Sequence, residues 1–141
     1  NDEILDFVKH GGVAYLAMID LDDFKPANDI YGHSYGDKIL EEIAQIFSDK
    51  SSDNVRFYRI GGDEFSIVFK NLNQEEILEF IQDLQQEIGK YPYEKNVEIG
   101  FSAGVSLIQV DDSFRRFSDF FDRADKLLYK SKAEGKNMIN F

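Results

Sequence analysis

Gly61-Gly62-Asp63-Glu64-Phe65 sets two carboxylates directly behind a pair of glycines. The segments on either side, Val55-Arg56-Phe57-Tyr58-Arg59-Ile60 and Phe65-Ser66-Ile67-Val68-Phe69, are rich in β-branched and aromatic residues and predict two strands joined by a hairpin. Glycine takes the positive φ of a tight turn without steric cost. Two readings stand on these residues alone: a hairpin with a solvated acidic shoulder, or one edge of a site that uses carboxylates. A second acidic cluster, Asp20-Leu21-Asp22-Asp23, closes the apolar run from Val13 to Ile19. If that strand stays extended, Asp20 and Asp22 point to one face and Leu21 to the other, and the Leu21 carbonyl can face the same opening as Asp20. Two carboxylates and a carbonyl form an oxygen-only donor set, which suits Mg²⁺ or Mn²⁺ better than zinc. Alternation sends Asp63 and Glu64 to opposite faces, so both reach one metal only where the turn distorts the ladder. Asp63, nearer the tip, is the expected direct ligand.

The elements that must position these acids follow from periodicity. Asp2 to His10 predicts a short helix stopped at Gly11-Gly12, and Val13 to Ile19 a central strand buried on both faces. From Gly36-Asp37 a helix runs to about Ser48, with Ile39, Leu40, Ile43, Ala44 and Phe47 at helical spacing. Asn73 with Glu76 makes a capping box for a helix that carries Ile77, Ile81, Leu84 and Ile88 on one face and ends at Gly89. Val97 to Leu107 alternates as one long strand, and Ser118 can cap a last helix striped by Phe120, Phe121, Ala124, Leu127, Leu128 and Ser131, with Gly135 past its end. Met138 to Phe141 would close the sheet at an edge. The order αβαββαβαβ, with one obligatory antiparallel hairpin, predicts an α+β fold: a mixed, largely antiparallel sheet packed with helices.

Composition narrows the function. The 141 residues predict a single domain, and 43% apolar content with 13 Phe and 7 Tyr excludes a disordered chain. A net charge of −11 without a basic stripe argues against nucleic acid and anionic lipid as partners. A small anionic ligand remains compatible if metal ions neutralise the carboxylates locally. No Cys is present, which removes disulfides and thiolate metal sites and suits a reducing compartment. No apolar run reaches the length of a membrane span and no signal peptide is visible. The expected location is cytoplasmic, either free or as the cytoplasmic part of a larger protein.

The clusters belong to a longer pattern. Asp20-Leu21-Asp22-Asp23-Phe24-Lys25, Asn28-Asp29, Tyr31-Gly32-His33, Gly36-Asp37, Arg59-Ile60-Gly61-Gly62-Asp63-Glu64-Phe65, Ser102-Ala103-Gly104-Val105, Ala124 through Lys132 and Gly135-Lys136-Asn137 stand in the order and spacing of the GGDEF diguanylate cyclase family. The chain resembles that family over nearly its whole length. The resemblance implies a ferredoxin-like palm similar to that of class III nucleotide cyclases, on which two GTP condense to cyclic di-GMP across a homodimer. It implies that Asp20, Asp63 and the Leu21 carbonyl bind Mg²⁺ (or Mn²⁺), with Glu64 completing the cluster and Asp63 accepting the proton of the 3′-hydroxyl. Lys25 would stabilise phosphate charge, Asn28 and Asp37 would read guanine, and Phe24, His33, Gly61, Gly62, Lys132 and Lys136 would contact substrate.

Residue chemistry agrees with these roles but supplies simpler ones too. A carboxylate accepts from guanine N1–H and N2–H₂, whereas adenine N1 is an acceptor that Asp37 would repel. Asn28 can equally be a turn residue, Asp37 a helix N-cap, His33 a turn residue, and Lys132 with Lys136 a complement to a helix dipole. Asp22 and Asp23 are expected to be structural or solvated. The family often carries an inhibitory Arg-x-x-Asp product site; counted back from Gly61, its positions here hold Ser52 and Val55. Its usual Asp-x-Leu-Thr-Gly-Leu-x-Asn-Arg opening is not among these residues either, and an upstream sensor or receiver domain is an expected partner. Ala27 stands where the family usually has a bulkier residue. The alternative is a silent GGDEF module that binds GTP and regulates a partner.

Overall fold

A computed structural model describes residues 2–109 and 117–141. Five strands form one sheet in the order β2-β3-β1-β4-β5. They are β1 (Ala14–Asp22), β2 (Val55–Gly61), β3 (Glu64–Lys70), β4 (Gly100–Ile108) and β5 (Ile139–Asn140). Every pairing is antiparallel except β4 with β5, so the sheet is mixed and largely antiparallel, as expected. The apolar run of β1 occupies the centre, where both neighbours satisfy its backbone and both faces are covered.

Odd positions of β1 face one helical layer and even positions the other. Ala17, Ile19 and Leu21 pack in the larger core with residues of α2 (Phe24–Tyr31), α3 (His33–Asp49) and α4 (Gln74–Gly89). Ala14 and Leu16 join Ile4, Leu5 and Phe120 of α1 (Asp2–Lys9) and α5 (Phe117–Ala133). Met18 meets Ala124 and Leu128 on that same side. No helix among the described residues is long and apolar enough to cross a membrane.

Four details differ from the sequence expectation. Phe24–Tyr31 is helical, so Asn28 lies in a helix and is not a turn residue. Proline is tolerated because it lies in the first turn, where an N–H has no helical partner, and Phe24 with Ala27 anchors the helix in the core. The third helix begins at His33, so Asp37 lies inside it and is not its N-cap. The fourth strand starts at Gly100, the last partner of β1; Val97 and Ile99 are buried by packing without strand pairing. Ser118 lies within α5 and does not cap it. The capping box of Asn73 and Glu76 is formed as expected, with Glu76 N–H donating to Asn73 Oδ1 at 2.8 Å.

Candidate active site

The two acidic clusters meet at one end of the sheet. Asp20 and Glu64 are direct cross-strand partners, so both side chains leave the same face. One residue further, Leu21 N–H donates to the Asp63 carbonyl at 3.2 Å, which ties the hairpin tip to the end of β1. The ladder between β2 and β3 shifts register between Arg59 and Gly61, a bulge at Ile60. Asp63 sits in the turn that follows this bulge, and a bulge re-aims the residues beside it. Gly62 takes φ +50 in the turn, and the Arg59 guanidinium donates to its carbonyl at 3.0 Å. Beta carbons at Gly61 and Gly62 would meet only open space, so the glycines leave room in front of the acids.

Burial pushes the Asp20 carboxyl up to about 6; Lys132 opposes that rise, while the charges of Asp63 and, more weakly, Glu64 add to it. Asp63 and Glu64 therefore both act on Asp20. Lys132 is the counter-charge: its ammonium donates to the Leu21 carbonyl at 2.9 Å and to Asp22 Oδ1 at 2.6 Å, and lies 3.5 Å from Asp20 Oδ2. That contact puts the Leu21 carbonyl and Asp20 on one opening, as strand alternation predicts.

Asp22 is buried and fully engaged. Besides Lys132 it accepts from the Ser102 hydroxyl at 2.8 Å and from the Asn137 N–H at 2.7 Å, so its role is structural, as expected. The exposed Asp23 pairs with Lys136 at 3.0 Å. Lys136 lies beyond the end of α5 with φ +67, and the two ammonium groups are held separately, Lys132 by Asp22 and Lys136 by Asp23.

A second cradle forms between α2 and α3. The half-buried Asn28 lies against Gly36, where any Cβ would overlap its amide. Asp37, exposed, is the next residue along α3. The glycine thus lets the Asn28 amide approach α3 one residue before Asp37. Lys25 is exposed in the first turn of α2, whose N-cap Asp23 makes no side-chain capping bond. The amide groups of that turn remain available to an anion. Phe24 is buried in the core, so only its backbone faces this end; His33 is exposed at the start of α3.

Among the described residues, two buried side-chain atoms have no hydrogen-bond partner: Asp20 Oδ1 and Asn28 Oδ1. Buried polar atoms are almost always paired. Asp20 Oδ1, the adjacent Leu21 carbonyl and the paired acids are hard oxygen donors of the type that holds Mg²⁺, and so fit such an ion chemically. As they stand, no three acidic or imidazole side chains among the described residues are grouped closely enough to hold a metal.

Residues 2–138 match the family described as diguanylate cyclase, GGDEF domain. A diguanylate cyclase of Vibrio cholerae serotype O1 is 37% identical over 120 residues, which cover 84% of this chain and 37% of that protein. An uncharacterized membrane protein of Staphylococcus saprophyticus is 31% identical over 130 residues, covering 89% of this chain and 36% of its own length. The chain thus spans little more than a third of these curated relatives. The active GGEEF domain of a diguanylate cyclase from Vibrio cholerae superposes with a TM-score of 0.85 at 31% identity, covering 98% of this chain and 88% of that one.

Proposed function

The chain belongs to the GGDEF, diguanylate cyclase domain family, and on that premise we propose that it condenses two GTP into cyclic di-GMP, each of two copies holding one nucleotide. The observation that carries this reading is the orphaned buried Oδ1 of Asp20, the expected metal ligand, at the end of β1 that meets the acidic hairpin tip.

Phosphoryl chemistry of this kind is catalysed by positioning and by neutralising charge. Asp20, Asp63, the Leu21 carbonyl and Glu64 would hold Mg²⁺ or Mn²⁺, which would supply charge neutralisation for the triphosphate. Asp63 accepts the proton of a 3′-hydroxyl as its oxygen bonds to the α-phosphorus of the nucleotide on the partner copy. The bond from that phosphorus to the leaving pyrophosphate breaks, and the event occurs twice to close the ring. Lys25 and the uncapped first turn of α2 hold phosphate oxygens, with the dipole of the helix favouring the negative charge. Asn28 and Asp37 hold guanine by its edge. A site that needs both hydrogen bonds rejects the wrong base by roughly four orders of magnitude. Lys132 and Lys136 stand at the same end as further phosphate contacts, and His33 and the backbone of Phe24, Gly61 and Gly62 border the nucleotide.

The test is product identity. The protein incubated with GTP and Mg²⁺ should yield cyclic di-GMP and pyrophosphate on chromatography. Asp63→Asn should abolish turnover, whereas Asp63→Glu, which keeps a carboxylate, should retain a measurable part. Full activity in Asp63→Asn would refute the proposed base. GTP binding without any product, even with two copies tethered together, would favour the silent module instead.

A further inference from the structure

We propose that Lys132 is a resident counter-cation that occupies the metal's own oxygens in the metal-free domain, so that divalent-ion binding and the Lys132 ion pair exclude each other. This rests on the reading of Asp20 and Leu21 as metal ligands given above.

The ammonium has three protons, and three acceptors surround it: Leu21 O at 2.9 Å, Asp22 Oδ1 at 2.6 Å and Asp20 Oδ2 at 3.5 Å. One of the three, Leu21 O, is an atom the ion would need, and a second, Asp20 Oδ2, belongs to the carboxylate whose unpaired Oδ1 would hold it. A divalent cation on those oxygens would stand within a few ångströms of a positive charge, and repulsion at such range in a partly buried site is strong. One of the two must leave.

The fold decides which part moves. Backing the fifth helix away to carry Lys132 off would break its packing on the sheet. A Cβ at Gly104 would already overlap backbone atoms of Ala124 and Leu128, so helix and strand are in direct contact. Ser131, the residue before Lys132, donates its hydroxyl to the Ala103 carbonyl at 2.8 Å. The exchange therefore takes place in the lysine side chain, a flexible four-carbon stem that is 25% exposed. Its departure does not strip Asp22, whose Oδ2 keeps the Ser102 hydroxyl and the Asn137 N–H. The released ammonium needs a new anion, and a triphosphate arriving with the metal supplies one. Metal and nucleotide binding are then positively coupled: each is weaker alone than with the other.

Mn²⁺ titration of the nucleotide-free protein, read by the paramagnetic resonance of free Mn²⁺, tests this without turnover. Lys132→Met keeps the stem and removes the charge; it should bind Mn²⁺ at least about tenfold more tightly than the wild type. Lys132→Arg keeps the charge and should stay within about threefold of the wild type, as should Lys136→Met, which removes an exposed charge that touches neither Leu21 nor Asp20. Equal Mn²⁺ affinity in wild type and Lys132→Met, absence of binding in both, or equal tightening in Lys136→Met overturns the proposal. Should Lys132→Met not fold, ¹⁵N-lysine resonances of the wild type decide. Saturating Mg²⁺ without nucleotide must move the Lys132 side-chain signal, and an unmoved signal overturns the proposal as well. Loss of the cyclase reading is scored separately, by product identity: an Mn²⁺ shift without cyclic di-GMP keeps the counter-cation and removes the reaction.

Discussion

Asp20 carries a carboxyl that folding keeps protonated longer than solvent does. Burial raises it from 3.8 to about 6, with Asp63 and Glu64 adding to the rise and Lys132 opposing it. The folded state therefore binds an extra proton between about pH 4 and pH 6, and this group's contribution to stability declines as pH rises through that window. Asp20→Asn removes the charge that is disfavoured. It should stabilise the metal-free protein at neutral pH by about 1–2 kcal/mol after solvent screening is allowed for, and flatten the dependence between the two values. Urea denaturation across pH reads both effects, and a variant less stable than the wild type would contradict the assignment. The same variant should lose turnover. Gly36 is the corresponding residue in the second cradle: Gly36→Ala drives a methyl into the Asn28 amide. It should cost about 1–3 kcal/mol of stability or displace the amide, and in the latter case raise KM for GTP. Unchanged stability and unchanged KM together would show that the contact has no role.

At the level of elements, α5 is the piece that joins the core to the site. Its close approach to β4 depends on Gly104, and Gly104→Ala should destabilise by about 2–3 kcal/mol because the added methyl meets main chain that cannot yield. Chemical denaturation checks this, and a neutral substitution would mean that the helix is free to shift. Removing the cap of α4 with Asn73→Ala should cost only about 1 kcal/mol, a useful contrast remote from the site. The elements legible in the sequence were those whose residues repeat: the apolar run of β1, the hairpin, the stripes of α3 and α5, and the boxed start of α4. The second helix was not legible, because Pro26 and Asn28 obscure it and only the burial of Phe24 and Ala27 holds it. The alternation of β4 suggested one apolar face, yet Ser102, Gly104 and Ser106 are buried too, beneath α5. The acids of the site were visible as clusters, but the Asp22 network was not. Ser102 and Asn137 reach Asp22 across 80 and 115 positions of sequence, and no local pattern announces such a meeting.

Over the whole molecule, the acids lie at the end of β1 from which α2 starts, and Asp37, Glu64 and His33 are exposed. Under the proposed function this end would be half of a site, with a second copy supplying the other nucleotide. Ser52 and Val55, at the positions of the family's inhibitory pair, bond to each other's backbone in the turn before β2 and carry no charge. Cyclic di-GMP is therefore expected to leave the initial rate unchanged through that turn; tight product binding that disappears on substituting either residue would contradict this. The most direct test of the half-site is the order of the reaction in protein. With GTP and Mg²⁺ saturating, the initial rate of cyclic di-GMP formation should rise with the square of protein concentration at its dilute end, and become linear when two copies are tethered. A rate linear in protein at every dilution, without a tether, would contradict the account.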